Sequence, residues 1–314
     1  MAARKKGYAT DRRRLNGEAL TASETSVAAY AGRLAQIELP RELAFILAAI
    51  GVFLLAAIGI SEATGAPFVF PTEKASPATG THFMLPIVIT AAVYLVVHAM
   101  VRLLQRGRAP IGTFIGNAAY DLFMLALFVF VMTVHFHLKM WMPIVHPHLY
   151  DAAYMQVDED FRVIVELFTT LRNAVARLLP GTDDLYEGAF FGAFVLSFVA
   201  QSLGERRWLH HNLAAILLVE MIGPLTYLIA PAVGPFVYER GPNSVATKVQ
   251  LAMYEAFQRV ESGGPAWVAA HGGDYITQPL AAMPSLHVAA TLVMAYYAHR
   301  ARLRSAPAFY LVLG

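Results

Sequence analysis

The chain has 314 residues, 57% of them hydrophobic and 15% charged, with a mean hydropathy of +0.50, a composition that excludes an ordinary soluble domain and a disordered one. A net charge of +2 offers nothing for nucleic acid, so no nucleic-acid partner is expected. The lack of any cysteine excludes disulfides, thiolate nucleophiles and thiolate metal sites.

Crossing a ~30 Å hydrocarbon core takes about 20 apolar residues, fewer with some thinning. Six stretches qualify: Leu43 to Ile60, Phe83 to Leu104, Ala118 to Trp141, Gly188 to Leu203, Leu213 to Ala230 and Pro284 to His299. A seventh begins at Pro307 and reaches Gly314 after eight residues. At ~1.5 Å per residue that is about 12 Å, less than half the core. The predicted fold is therefore all-α, a polytopic integral membrane helix bundle of six full spans plus a truncated seventh.

Taken in order, residues 1–40 form a basic arm carrying Arg4, Lys5, Lys6, Arg12, Arg13 and Arg14, with weak helical character from Ser23 to Arg33. So long a polar head is wrong for a cleaved signal, and the first span is expected to stay in place. Residues 41–141 make an N-terminal three-span segment. Arg106 and Arg108, Arg206 and Arg207, and Arg300, Arg302 and Arg304 fall in alternate connections on the side of the arm. By the positive-inside rule the N-terminus is cytoplasmic. The third and fifth connections then face outward, to a periplasm or lumen.

Residues 142–187 are an outer amphipathic segment in which Tyr154, Phe161, Val165 and Phe168 recur at helical spacing. It either lies along the membrane surface or docks as a core helix. Residues 188–314 form the remaining core. Its outer connection, Pro231 to Met283, opens with the rigid APAVGPFVYERGP and passes through a helix-like Ser244 to Val260 and the glycine-rich GGPAWVAAHGGDY. A connection this long serves as a lid, a substrate wall or a plain link.

Inside the spans, Glu220 points to an interhelical bond or a functional role, because an acid in hydrocarbon needs a partner. Asp121, His135, His137 and Lys139 lie toward the ends of their span, where they snorkel or pair. His135 and His137 point apart on a helix, so no metal site is expected. No cofactor is expected either.

The stretch that points to chemistry is Leu280 to Thr291, LAAMPSLHVAAT. Proline is favoured at the first helical position, so Pro284 is expected to start a helix. The free N–H groups of that turn, the Ser285 hydroxyl and the positive end of the dipole form an anion site. His287 stands where an imidazole can give or take a proton. Phosphate is the natural ligand.

This Met-Pro-Ser-Leu-His-Val turn, following a proline- and glycine-rich outer loop, resembles the second signature of the type 2 phosphatidic acid phosphatase superfamily. More narrowly it is similar to the branch of inositol phosphorylceramide synthases, in which Pro-Ser-Leu-His stands for Pro-Ser-Gly-His. The resemblance covers roughly Leu213 to Arg304. It implies a membrane-embedded lipid phosphatase or phosphotransferase, a hydrolase or transferase of lipid metabolism, acting without metal at the outer face on a lipid phosphate or phospholipid through a phosphohistidine. In that scheme His287 protonates the departing alcohol and Ser285 holds phosphate oxygens. The first signature, a lysine followed at a distance by Arg-Pro, is unmatched, and Arg240 in Tyr238-Glu239-Arg240-Gly241-Pro242 is the nearest cationic candidate, with Lys248 next. The third signature, an Arg and then a nucleophilic His with its Asp, is expected beyond the point where this chain stops. A non-catalytic membrane protein or a transporter, with Glu220 as its intramembrane acid, is the alternative reading.

Overall fold

The computed structural model describes residues 41–72, 84–104, 111–178, 182–238, 244–277, 285–303 and 306–313. By its contacts the chain divides into Met1–Leu47 and Ala48–Gly314, and only residues 41–47 of the first unit are described. The basic arm, Arg240 and Pro284 all lie outside the described residues.

The described residues are helical, with no strand among them. In chain order the helices are α1 (Arg41–Thr64), α2 (Leu85–Leu104), α3 (Ile111–Val145), α4 (Asp151–Asp160), α5 (Arg162–Leu178), α6 (Thr182–Leu203), α7 (Arg206–Ile229), α8 (Ser244–Tyr275), α9 (Leu286–Arg300) and α10 (Ala306–Leu313). A single 3₁₀ turn, Pro235–Val237, stands between α7 and α8.

Four segments, Leu43–Thr64, Leu85–Leu104, Ile111–Val145 and Arg206–Ile229, are long and apolar enough to cross a membrane. Two of the six predicted spans are shorter. In α6 the apolar stretch among the described residues is Phe191–Leu203. Helix α9 has 15 residues, about 22 Å of helix, which falls short of the hydrocarbon core.

Helices α3 and α7 pack on each other, and α7 also packs on α9 and α6. Ile216 and Leu217 of α7, Met294 of α9 and Leu138, Met140 and Trp141 of α3 are almost wholly buried. Helix α10 closes against α9 through Tyr310, joined by Ala193, Ala295 and Ala298. Small residues on α9 let these backbones approach, which is how helices associate when the surroundings are as apolar as the side chains.

At one end of α3, residues 66–72 run as a strap. The Val69 N–H donates to His137 Nε2 at 2.9 Å, and His137 Nδ1 reaches the Thr133 carbonyl at 2.6 Å. The Thr72 N–H donates to the Gly273 carbonyl at 3.1 Å, and a Cβ at Gly273 would stand 2.5 Å from the Phe70 carbonyl oxygen. Helix α8 breaks at Gly264, whose φ of 56° a side chain would resist, immediately before Pro265. The APAVGP segment is pinned by Asp151, whose carboxylate accepts from the Val233 N–H at 3.1 Å and the Gly234 N–H at 2.7 Å.

Helix α5 is amphipathic and exposed. Val163, Ile164, Leu167, Phe168 and Leu171 are all uncovered, and no described residue of α5 is buried. It is therefore not a docked core helix.

Candidate active site

The turn before α9 differs from expectation in one respect. The helix starts at Leu286, and Ser285, rather than Pro284, occupies its boundary as the N-cap, with φ −73° and ψ 105°. Its Oγ accepts from the Val288 N–H at 3.4 Å, satisfying one of the free donors of the first turn. A hydroxyl that accepts in this way still has its own proton to donate. Gly223 sets where the turn sits: a Cβ there would meet Leu286 Cδ2 at 2.3 Å, so α7 and the start of α9 approach closely only because residue 223 has no side chain.

Ser285, Leu286 and His287 form one wall of a cavity of about 480 Å³. Helix α3 contributes Leu125, Phe128, Met132, His135, Phe136 and Lys139; α7 contributes Asn212, Leu213, Ile216, Glu220 and Tyr227. Pro86, Ile87 and Thr90 of α2 and Phe191, Phe194, Ser197 and Phe198 of α6 complete it. The ionisable side chains come from α3, α7 and α9, while α2 and α6 supply mostly apolar surface. Such a cavity suits a ligand with a polar head and a hydrocarbon body.

Lys139, expected to snorkel or pair at a span end, is instead buried. It is 9% exposed, its Nζ lies 5.4 Å from the centre of the Tyr227 ring, and it forms no ion pair among the described residues. A lysine held this way in a membrane protein is costly unless it has work to do. One signal pointed to it: Lys139 is followed at a distance by His146-Pro147, close to a lysine followed by Arg-Pro with His in place of Arg. Lys248, the other candidate cation, is exposed and does not line the cavity.

Glu220 is 6% exposed and pairs with His135, which is 2% exposed. His135 Nδ1 lies 2.9 Å from the Glu220 carbonyl oxygen and 3.2 Å from its carboxylate Oε2. The local cause is Pro224. Four residues after Glu220, a proline removes the helix N–H that would bond the 220 carbonyl, and the imidazole takes that acceptor instead. His137 turns to the strap, so the two histidines serve different neighbours.

A second polar cluster sits elsewhere in the bundle. Asp121 is fully buried; it accepts from the Tyr94 hydroxyl at 2.6 Å, is bonded by the Arg206 guanidinium, and lies 3.5 Å from His210 Nε2. Arg206 also reaches the Asn117 carbonyl at 3.1 Å. This group clamps α2, α3 and α7 together.

No curated protein and no solved structure matches the chain. The segment that carries α9, the Ser285 turn and the α7 wall of the cavity does match a known family: residues 185–313 fit the PAP2 superfamily.

Proposed function

We propose that this chain belongs to a membrane-embedded phosphatase or phosphotransferase of lipid phosphates, with its site at the outer end of the bundle. The observation that carries the reading is that a lysine of α3 and the N-capping serine and a histidine of α9 line one cavity with apolar walls. Lys139 and Ser285 hold the phosphate oxygens, as fixed donors in a cavity with largely apolar walls. His287 gives its proton to the departing alcohol oxygen as the P–O bond breaks. Lys139 takes the place that the sequence assigned to Arg240.

In this reading α6 and α9 cross the membrane with α1, α2, α3 and α7, the N-terminus is cytoplasmic, and α5 lies on the outer surface with its apolar side in lipid. The similarity of the Pro-Ser-Leu-His turn favours the inositol phosphorylceramide synthase-like branch and a phosphohistidine intermediate. The attacking histidine and its aspartate are not assigned to any of these 314 residues.

The test is turnover of a phosphatidic acid and of a phosphodiester lipid by the full-length protein in nanodiscs, with His287→Gln alongside. Loss of general-acid assistance predicts a fall of about 10²–10⁴ in kcat with little change in KM. A His287→Gln variant as fast as the parent would remove His287 from the reaction.

A further inference from the structure

At the ends of α7 and α9 away from the candidate active site lies a cleft of about 460 Å³, lined by Glu205, Arg207, Trp208, His299, Arg300 and Arg302. About 20 Å of helix separates His287 from Arg300, and the two cavities share no lining residue. The positive-inside rule asks only that arginines face water on one side of the membrane, whereas these converge. The Arg207 and Arg300 guanidinium carbons stand 4.6 Å and 4.8 Å from the centre of the Trp208 ring. A guanidinium stacked on a ring is held in place while its N–H edge stays available to an anion. Arg300 spends one N–H on the Tyr296 hydroxyl at 3.3 Å, and Arg207 pairs with Glu205 at 2.8 Å. Glu205 is the one acid in the lining, against three arginines, which leaves an excess of positive charge. Arg206 next to them is committed to Asp121 inside the bundle.

Arg302 is held in the cleft by an unusual backbone. Its φ of 59° is the only positive φ of a non-glycine among the described residues. It takes the position after a helix end that usually falls to glycine: the Arg302 N–H donates to the His299 carbonyl at 3.0 Å and the Leu303 N–H to the Ala298 carbonyl at 3.0 Å. Those bonds occupy carbonyls that would otherwise repel an anion. Helix α7 starts in the same cleft without a side-chain cap from Glu205, so the positive end of its dipole adds to the arginines.

We propose that this cleft is a second, non-catalytic site that holds the phosphate of an anionic phospholipid from the leaflet opposite the candidate active site. The proposal goes beyond the reading of His287 and rests only on α7 and α9 crossing the membrane. A lipid fits better than free phosphate because the cleft continues into an apolar face. Arg300, Tyr296 and Leu292 stand four residues apart on α9, and Tyr296 and Leu292 are each 53% exposed. A headgroup at Arg300 and Arg302 puts an acyl chain along that face. The excess of arginine over glutamate favours a headgroup of net negative charge over a zwitterionic one, whose ammonium would meet the same arginines.

The experiment counts lipids bound to the full-length protein by native mass spectrometry, titrating dioleoyl phosphatidylglycerol and dioleoyl phosphatidylcholine, which share tails and a phosphate and differ in net charge. The parent should bind phosphatidylglycerol about tenfold more tightly, the scale of one or two arginines facing an anionic headgroup. Arg300→Gln with Arg302→Gly should bring that ratio close to one, and it should fold, since glycine suits the φ of residue 302 better than arginine does. Arg106→Gln with Arg108→Gln removes the same charge from another connection and should leave the ratio as it was, as should His287→Gln. Equal affinities in the parent, or a ratio unchanged in Arg300→Gln/Arg302→Gly, overturns the proposal. So does an equal fall in Arg106→Gln/Arg108→Gln, which would show a basic face that attracts any anionic lipid. A ratio lost in His287→Gln would move the lipid to the candidate active site and overturn it as well. Inorganic phosphate at the lipid's own concentration should displace none of it, and full displacement would overturn the lipid in favour of the free anion. Turnover by the parent and its loss in His287→Gln bear on the catalytic reading alone.

Discussion

Two groups of buried ionisable side chains lie about 27 Å apart along α3, at Asp121 and at Lys139, and they are built on opposite terms. Around Asp121 the charge is answered locally: an arginine, a tyrosine hydroxyl and a histidine surround one carboxylate that is wholly buried. Around Lys139 it is not. The ammonium has a ring face and no ion pair among the described residues, the Glu220 carboxylate that pairs with His135 is within electrostatic reach of it, and Ser285 and His287 line the same space. A cluster whose carboxylate is already bonded by neighbouring side chains is architecture, because its charge is answered without a ligand. A cluster whose polar groups line a cavity is the candidate binding site.

The largest effect that separates the two is on stability. Asp121→Ala removes the acceptor shared by Arg206, Tyr94 and His210 and leaves a partly buried guanidinium without its carboxylate. Breaking a pair of this kind typically costs about 3–5 kcal/mol. Thermal unfolding in detergent should show a fall of that size, while turnover per folded molecule holds. A stable Asp121→Ala that has lost activity would mean that this cluster, too, serves the reaction.

Lys139→Met should behave in the opposite way. Replacing a buried cation that has no ion pair among the described residues by a methionine of similar length leaves stability equal or improved. Removing a fixed donor from the phosphate oxygens lowers turnover by about 10²–10³. The measurement is kcat/KM on a lipid phosphate with the unfolding midpoint read on the same preparation. A drop in midpoint with activity retained would reassign Lys139 to the scaffold and leave the cavity without its cation.

Much of this contrast was hidden in the sequence, for reasons that differ by residue. The long spans were legible because about 20 apolar residues in a row can do little else. The shortness of α9 follows from its helix start at Leu286, after the N-cap Ser285. Ser285 and His287 stood out because proline-led helix starts have a chemical signature. That Lys139 and Glu220 share a cavity could not be read, since helical periodicity assigns a face to each residue but not the helix that the face meets. The tie between His135 and Glu220 was half visible. Pro224 announces an unbonded carbonyl four residues earlier, and only the fold supplies the imidazole that takes it. Arg240 lies outside the described residues, whereas Lys139 reaches the cavity from a helix nearly 150 residues before the Ser285 turn.

The smallest effect concerns Ser285, which belongs to both sides of the comparison, since its hydroxyl caps α9 and faces the cavity. The two roles separate because glycine is nearly as good an N-cap as serine, while alanine is worse by about 1 kcal/mol. Ser285→Ala loses both the cap and the hydroxyl proton offered to phosphate, and Ser285→Gly loses only the proton. Were the residue purely architectural, the glycine variant would restore both the unfolding midpoint and kcat/KM. The expected result is that glycine restores the midpoint and leaves kcat/KM about tenfold down, as alanine does, because one neutral donor to a phosphate oxygen has gone from each. Full recovery of kcat/KM in Ser285→Gly would assign phosphate binding to the backbone N–H groups of the turn and to Lys139, with Ser285 doing no more than holding the helix end in place.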